Sequence, residues 1–169
     1  MQERKVIRKW IWVWEFEKEE RWLNEMAQTG WVLDKIGYCR FEFKRCEPGE
    51  YVVRLEMHPE NDGYIEFMQE TGAEYIGNML QWKYFRKRTE AGSFDIFSDI
   101  DSRIGHLNKI GKMLSGIGFA NLIIGVSNSI NPTVRMGWIN LLCATLLMYG
   151  LGRIHGKKEA LEKERLLRE

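Results

Sequence analysis

One histidine with nearby carboxylates has the side-chain types that metal chemistry requires. His58 is flanked by Glu56, Glu60 and Asp62, which offer an imidazole nitrogen and carboxylate oxygens. Established metal motifs place such ligands at characteristic intervals, and these residues match none of them. We interpret the group as surface charge, and we expect no metal site and no cofactor.

Nucleophilic catalysis also lacks a recognisable pattern in this sequence. A serine, cysteine or lysine needs a neighbouring base or an electropositive setting to react, and no local motif supplies one. The turn CEPGE lacks the glycines that cradle a phosphate. Cys39, Cys46 and Cys143 form an odd set without CxxC spacing, so we interpret them as packing residues. We therefore expect that the protein is not an enzyme. An enzyme that acts on a lipid or another hydrophobic compound at the membrane surface is the least favoured of the functions considered.

Two apolar segments near the C-terminus are long enough to cross a bilayer. MLSGIGFANLIIGVSNSI and MGWINLLCATLLMYGLGRI contain no charge before Arg153, and NPTVR joins them. Each run of about 18 residues gives roughly 27 Å of helix, close to the hydrocarbon thickness of a membrane. We predict a transmembrane hairpin over residues 113–154. A soluble helical hairpin is the alternative, because Asn121, Ser127, Asn128 and Ser129 interrupt the first run.

Basic residues lie at the two outer ends of this hairpin. Lys109 and Lys112 precede it, and a further set follows it, whereas the loop holds only Arg135; the following set is Arg153, Lys157, Lys158, Lys163, Arg165 and Arg168. Lysine and arginine stay on the cytoplasmic side of a membrane. We therefore predict a bacterial inner-membrane protein with both termini in the cytoplasm. MQERKVIRKW has no apolar core and no cleavage site, so we expect no signal peptide.

Small and polar residues in the hairpin are expected to hold its helices together. In lipid, close backbone approach and hydrogen bonds replace the hydrophobic effect between helices. The predicted packing residues are Gly118, Asn121, Gly125, Asn128 and Asn140. A loop centred near Thr133 brings Asn128 level with Asn140, so we predict a hydrogen bond between them. The alternative is that both amides lie in the headgroup layer.

The remaining sequence divides into a domain, a connector and a tail. We predict a cytoplasmic domain over residues 1–89, an amphipathic connector helix over 90–112, and a charged cytoplasmic tail over 155–169. A cap at Ser98 with Asp101 begins the connector helix, which presents Phe97, Ile100, Ile104 and Leu107 on one edge. The chain has 25 Lys and Arg against 24 Asp and Glu, so no basic excess recommends nucleic acid as a partner.

The N-terminal domain contains an internal repeat. EMAQTGWVLDKIGYCRFEFKR and FMQETGAEYIGNMLQWKYFRK align at an offset of 42, which pairs Gly30 with Gly72 and Phe43 with Phe85. Each copy predicts a helix closed by glycine and followed by strand material. Helices over 18–29 and 63–71 alternate with strands over 7–16, 32–44, 51–58 and 75–88. The fold class predicted is α+β, with a ferredoxin-like β-α-β-β-α-β sheet domain.

A four-stranded sheet of this kind leaves one face open. Side chains alternate along a strand, so Trp10, Trp12 and Trp14 project together on the expected first strand. We predict that they form a ligand- or partner-binding face with three residues of the neighbouring strand, namely Arg54, Glu56 and His58. Aromatic and arginine side chains dominate the energetics of interfaces. The alternative is that the tryptophans form core and the smaller Ile11 and Val13 face outward.

Several segments together resemble a known bacterial family. EKEERWLNEMAQTGW, CEPGEYVVRLE, YIEFMQETGAEYIG, WKYFRK and FDIFSDIDSRIGHL are similar to the family called domain of unknown function 2812, over about residues 8–110. The resemblance implies a cytosolic domain followed by membrane helices. It also implies that the gene lies beside a gene for a PadR-like transcriptional regulator, and hence that the protein has a role in regulation or stress response. It assigns no catalytic residues.

These observations predict a membrane-tethered cytoplasmic binding domain of regulatory or stress-sensing type. Its expected partners are the bilayer, a small amphiphilic ligand, a second copy or a membrane protein. The alternative function is a structural accessory subunit of a larger membrane complex such as a transporter.

Overall fold

The structure, a computed structural model, describes residues 3–58, 62–97, 99–130 and 136–168. The chain forms two compact units, Met1–Ile96 and Phe97–Glu169. The first unit contains six strands and two helices in this chain order: β1 Arg4–Arg8, α1 Phe16–Gln28, β2 Trp31–Gly37, β3 Arg40–Arg45, β4 Tyr51–Met57, α2 Asp62–Glu70, β5 Glu74–Met79 and β6 Trp82–Arg88. The second unit contains α3 Ile100–Ile130 and α4 Gly137–Arg168. The predicted α+β class is confirmed.

The strands form two three-stranded antiparallel sheets in place of the single four-stranded sheet that we expected. Sheet 1 has the order β1-β3-β2, and sheet 2 has the order β4-β6-β5. Each sheet belongs to one copy of the repeat, because each copy contributes a strand, a helix and a hairpin in the same sequence order. Both copies also interrupt their ladder at the same place, with register shifts between Leu33 and Lys35 and between Tyr75 and Gly77. The fold is therefore a tandem β-α-β-β repeat.

Two of the predicted long strands are in fact hairpins. The chain turns between β2 and β3 and again between β5 and β6, where Cys39 and Leu80 adopt left-handed φ values of 51° and 55°. Glycine or asparagine normally marks such a turn in sequence, and neither residue occupies these two positions. This split moves β3 and β6 to the centre of their sheets and leaves β1 and β4, which we had expected to be central, at the edges.

Helix α1 packs between the two sheets. Its Trp22 ring meets Phe41 and Phe43 of sheet 1 edge-on, at centroid distances of 5.0 and 5.7 Å. On its other side, the Tyr84 hydroxyl of sheet 2 donates a hydrogen bond to Glu19 at 2.7 Å. Each sheet thus contacts α1, and the sheets also meet directly, since Arg86 of β6 donates to the Leu33 carbonyl of β2 at 2.8 Å.

Side chains of α1 also cover the outer edge of β4. The Asn24 amide donates to the Val53 carbonyl and accepts from the Val53 amide, each at 2.9 Å. The Leu55 amide donates to the Glu20 carboxylate at 3.2 Å. These bonds replace those of a neighbouring strand and leave the edge closed to pairing with another chain.

The face of sheet 2 that we expected to be open is covered. Met68 of α2 and Phe94 of the segment after β6 pack on Phe85, in a core cluster that also contains Ala73. The alternation predicted along β4 is nevertheless present, because Tyr51, Val53, Leu55 and Met57 are all buried. The second helix and the 89–96 segment cover the opposite face, which the prediction of helices on only one face had not allowed for.

The second unit is an antiparallel pair of long helices. Helix α3 has 31 residues and α4 has 32, so each extends roughly 47 Å, more than a bilayer core requires. The connector helix predicted over residues 90–112 is wrong in its first part, because α3 begins at Ile100 and the chain up to Ile96 belongs to the first unit. Residues 100–112 are the first turns of α3, and the predicted tail continues α4 as far as Arg168. Beyond the apolar part, Arg165 donates to Asp101 at 2.8 Å.

Both helices are long and apolar enough to cross a membrane. Only 22% of the most apolar window of each is buried, whereas a core helix of a soluble protein would be mostly buried. Large apolar side chains project outward from both helices, among them Ile117, Phe119, Ile123, Trp138, Leu142 and Leu146. This distribution suits lipid as the surrounding solvent.

The first turn of α3 is capped one residue later than predicted. The Ser102 amide donates to the Asp99 carboxylate at 2.7 Å, and the Asp99 amide donates to the Ser102 hydroxyl at 3.4 Å. This is the reciprocal arrangement of a capping box. The predicted cap, Ser98, lies outside the described residues.

Candidate functional site

Three aromatic side chains form an exposed cluster at one end of sheet 1. The Trp10 ring meets Trp12 edge-on at 5.4 Å between centroids and Tyr38 at 6.2 Å. The exposed fraction is 56% for Trp10, 39% for Trp12 and 74% for Tyr38. Trp12 also stacks on Trp14 at 4.9 Å with the planes 9° apart. Because Trp14 is only 5% exposed, the cluster runs from the core to the surface.

A loop, not a strand, positions these tryptophans. Strand β1 ends at Arg8, and the Lys9 amide then donates to the Cys39 carbonyl at 3.1 Å, which ties the chain to the β2–β3 hairpin. Trp12 is extended, and the Glu15 amide donates to its carbonyl at 2.7 Å to open a short 3-10 helix that leads into α1. The strand predicted over residues 7–16 is therefore wrong beyond Arg8, and the tryptophans meet through this turn.

The tryptophans were expected to be either an exposed binding face or core residues, and each alternative holds for part of the set. Trp14 is a core residue, whereas Trp10 and Trp12 lie at the surface. Tyr38, at the tip of the β2–β3 hairpin, completes the exposed cluster, although sequence reasoning did not select it. Tyr38 was difficult to predict because no glycine or asparagine occupies the two turn positions of the β2–β3 hairpin. Large aromatic side chains with a polar edge are typical of surfaces that bind partners or lipid headgroups.

Arg54 lies away from this cluster, on the edge strand of sheet 2. Its guanidinium is 3.4 Å from the Glu20 carboxylate. Together with Val52 it lines an open cavity of about 430 Å³, which the segment from Thr89 to Asp95 completes. Burial raises the pKa of Glu20, although the Arg54 charge opposes that effect. Arg54 is thus a neighbour of α1 and does not join the tryptophans.

Glu56 and His58 lie under α2 and not on an open face. The Tyr64 hydroxyl donates to the buried Glu56 carboxylate. The His58 ring stacks on Tyr64 at 3.9 Å with the planes 4° apart. Burial and this carboxylate raise the pKa of Tyr64, so its phenol stays protonated. These contacts give both residues a structural role in fixing α2.

The structure assembles no metal site from the residues it describes. No group of three potential His, Cys, Asp or Glu ligands occurs among them, and Glu60 lies outside them. Cys39, Cys46 and Cys143 are free, half-buried thiols. Burial raises the pKa of the Cys46 thiol, and the Glu50 carboxylate adds to this effect, which disfavours the reactive thiolate.

The predicted packing glycines lie where α3 and α4 approach most closely. A Cβ atom on Gly118 would stand 2.7 Å from the Met148 methyl, and one on Gly125 would stand 2.8 Å from Leu141. Gly137 is tighter still, because its Cβ would stand 2.6 Å from the Ser129 hydroxyl. The sequence analysis did not select Gly137. This glycine packs against Gly125 and Ser129, which lie one turn apart on α3.

The hydrogen bond predicted between Asn128 and Asn140 is wrong in its partner. The Asn140 amide donates to the Asn121 side chain at 3.2 Å, and Asn121 donates in turn to the Ile117 carbonyl at 2.9 Å. Asn121 and Asn128 are seven residues apart and share a helix face, so the sequence could not decide between them. The rotation of α4 about its axis decides which amide Asn140 meets.

Comparison with known proteins shows the family. Residues 15–119 match the family model described as protein of unknown function DUF2812. The chain belongs to this family. The matched stretch begins at Glu15 and ends at Phe119, so it covers α1 to about the first two thirds of α3, and Trp10, Trp12 and Trp14 precede it. No curated protein and no solved structure matches the chain. The DUF2812 description assigns no activity, so function has to be argued from the geometry.

Proposed function

We propose that this DUF2812 protein is a membrane-anchored binding protein of regulatory type. Its N-terminal unit binds an amphiphilic molecule or a protein partner through Trp10, Trp12 and Tyr38. The observation that carries the proposal is the exposure of these three rings in a unit that has its own core. An exposed cluster of this kind costs solubility and is typical of a surface that is covered in use. No catalytic step is assigned to it.

Two features support the anchoring part of the proposal. The apolar parts of α3 and α4 present exposed aliphatic and aromatic side chains, which lipid would cover. The charges lie beyond them, at Lys109 and Lys112 on α3 and at Lys157 and Lys158 on α4. This distribution favours an orientation in which both termini are cytoplasmic.

The continuity of α3 suggests how binding is transmitted. The helix begins four residues after the first unit ends at Ile96 and then runs for 31 residues through its apolar part. A rigid helix passes a displacement of its first turn to its membrane part without a joint.

Photo-crosslinking in cells tests the binding surface. A benzophenone amino acid replaces Trp12 in the full chain, and Leu80 receives the same replacement as a matched control. Leu80 is 80% exposed at the equivalent hairpin tip of sheet 2, so it samples the same solvent without the cluster. We expect a discrete adduct, lipid or protein by mass spectrometry, at position 12 alone. Equal adducts at both positions, or none at position 12, contradict the proposal.

One observation favours the accessory-subunit alternative. Gly152 and Gly156 lie one turn apart on α4, and a Cβ atom at either would meet nothing within 4 Å. Small residues at this spacing let another membrane helix approach closely. If the protein is a subunit of a larger complex, Gly152→Ile releases a stoichiometric partner during purification in detergent, whereas Trp12→Ala retains it. The binding proposal expects the reverse.

A further inference from the structure

We propose that the outer face of sheet 1 and the aromatic cluster dock together on the anionic surface of a lipid bilayer. The inference rests on the proposed function, because it names the partner of that binding surface. The inference goes beyond the proposed function because it adds a second group of residues, the cations of the outer face, which are separate from the tryptophans.

The internal repeat identifies this face as a specialised one. In sheet 2, the corresponding positions on β4 and β6 are buried, and apart from Arg86 opposite Val53 they hold apolar or aromatic residues: Val53, Leu55, Met57, Trp82 and Tyr84. In sheet 1, the residues paired in the same register are Arg4 with Lys44, Val6 with Glu42, and Arg8 with Arg40. A packing face in one copy has thus become a charged face in the other, and α1 packs on the opposite side of sheet 1, against Phe41 and Phe43.

The charge on this face is unbalanced. It presents four cations on β1 and β3 and a fifth, Lys35 of β2, which stands opposite Glu42 in the strand register. Among the described residues of these three strands, the carboxylates on this face are Asp34 and Glu42. Glu42 pairs with Arg40 at 3.0 Å, and Asp34 pairs with Lys44 at 3.5 Å. Within the described residues, neither Arg8 nor Lys35 has a carboxylate partner, and both are exposed. The whole chain carries only +1, so this excess is local.

The aromatic cluster borders the cationic face. Arg8 and Arg40 form the last pair of the β1–β3 ladder, and Trp10 and Tyr38 each lie two residues beyond one member of that pair. Tryptophan and tyrosine rings settle at the headgroup level of a bilayer, and arginine and lysine side chains beside them reach phosphates. Neither feature alone would define a partner, but their adjacency matches the layered chemistry of a membrane surface.

An anionic bilayer fits this surface better than another polyanion. The α3 and α4 hairpin would hold the chain at a membrane, so headgroups are its most concentrated anions. Juxtamembrane cations are drawn to anionic leaflets within a Debye length of the surface. A single-stranded nucleic acid would also neutralise the cations and stack its bases on the rings, so it is the nearness of headgroups to an anchored protein that favours the bilayer.

A fluorescence experiment on the full chain tests the docking. Cys39, Cys46 and Cys143 are replaced by serine, a single cysteine is introduced by Tyr38→Cys, and an environment-sensitive dye is attached. The protein is reconstituted into nanodiscs of phosphatidylcholine with or without phosphatidylglycerol. We expect acrylamide quenching to fall about threefold in the anionic discs and to recover in about 0.5 M salt, which screens surface charge.

Two variants complete the design. The Leu80→Cys label, at the hairpin tip of sheet 2, should be quenched equally in both discs. The double variant Arg8→Gln with Lys35→Gln should restore quenching at position 38 in anionic discs. These two cations have no carboxylate partner among the described residues, so their charge is available to the lipid phosphates. Equal protection in both discs, no protection in either, or protection only on adding DNA to neutral discs would overturn the docking. Co-elution of protein and disc tests the anchoring separately, and the position-12 adduct tests the binding surface separately.

Discussion

Trp12 and Trp14 are stacked on each other but have different surroundings. Trp14 is almost completely buried, whereas Trp12 keeps more than a third of its surface in solvent. We expect Trp14→Ala to lower the free energy of unfolding of the first unit by about 3–5 kcal/mol, because it leaves a large cavity. Trp12→Ala should cost about 1 kcal/mol. Chemical denaturation of the full chain in detergent measures both, and equal losses would contradict the assignment of Trp12 to the surface.

Glu19 links stability to pH. Burial raises its pKa above the usual 4.5, although the Tyr84 hydroxyl bond and Lys9 oppose the effect. A raised folded-state pKa gives stability that is fully present below 4.5 and is lost as pH rises through the folded value. Glu19→Gln keeps an acceptor for Tyr84 and removes the buried charge.

We therefore expect Glu19→Gln to raise the melting temperature at neutral pH and to flatten its pH dependence above 4.5. Glu25→Gln, on the exposed side of the same helix, is the control and should leave the melting temperature unchanged. Thermal melts followed by circular dichroism at a series of pH values measure this. A Glu19→Gln protein that melts lower at neutral pH would show that the carboxylate stabilises the fold.

Close glycine contacts and two consecutive side-chain hydrogen bonds join helices α3 and α4. Asn140 bonds to Asn121, and Asn121 bonds to the Ile117 carbonyl. A double-mutant cycle with Asn121→Ala and Asn140→Ala should give a coupling of about 0.6–2 kcal/mol. The same cycle with Asn128→Ala should give none. Unfolding in bicelles measures both, and coupling through Asn128 would restore the register first predicted.

The repeated element explains how one helix supports two sheets. Each copy places its helix on its own hairpin, through Phe43 in the first and Phe85 in the second. Helix α1 additionally meets the back of sheet 2, because the residues there are apolar. The back of sheet 1 is charged and stays exposed. The same local unit thus gives one closed face and one open face according to its side chains alone.

At the scale of the whole molecule, orientation in the membrane is the testable consequence of the charge distribution. We expect alkaline phosphatase to be inactive when fused after Glu169 and active when inserted within residues 131–135, which lie outside the described residues. A fluorescent protein that matures only in the cytoplasm should give the opposite pattern. Phosphatase activity at the C-terminus would overturn the orientation and, with it, the cytoplasmic position of the first unit.

The features that depend on local composition and periodicity could be predicted from the sequence. The α+β class, the repeat at an offset of 42 and the two long apolar helices all follow from patterns within one segment. The close contacts of Gly118 and Gly125 were also predictable, because small residues let two long helices approach closely. Hydrophobicity and periodicity are properties of a residue and its near neighbours, so they can be recognised without the fold.

The way in which these segments meet depends on contacts between residues that are far apart in the chain. Cys39 and Leu80 take left-handed conformations that their residue types do not announce, and these turns divide two strands and create two sheets. That division placed Glu56 under α2 and separated Arg54 from the tryptophans. Which of Trp12 and Trp14 is buried, and which amide Asn140 meets, likewise depend on the packing of distant elements. Side-chain burial is set by what the rest of the chain brings to a residue, and no local pattern encodes that.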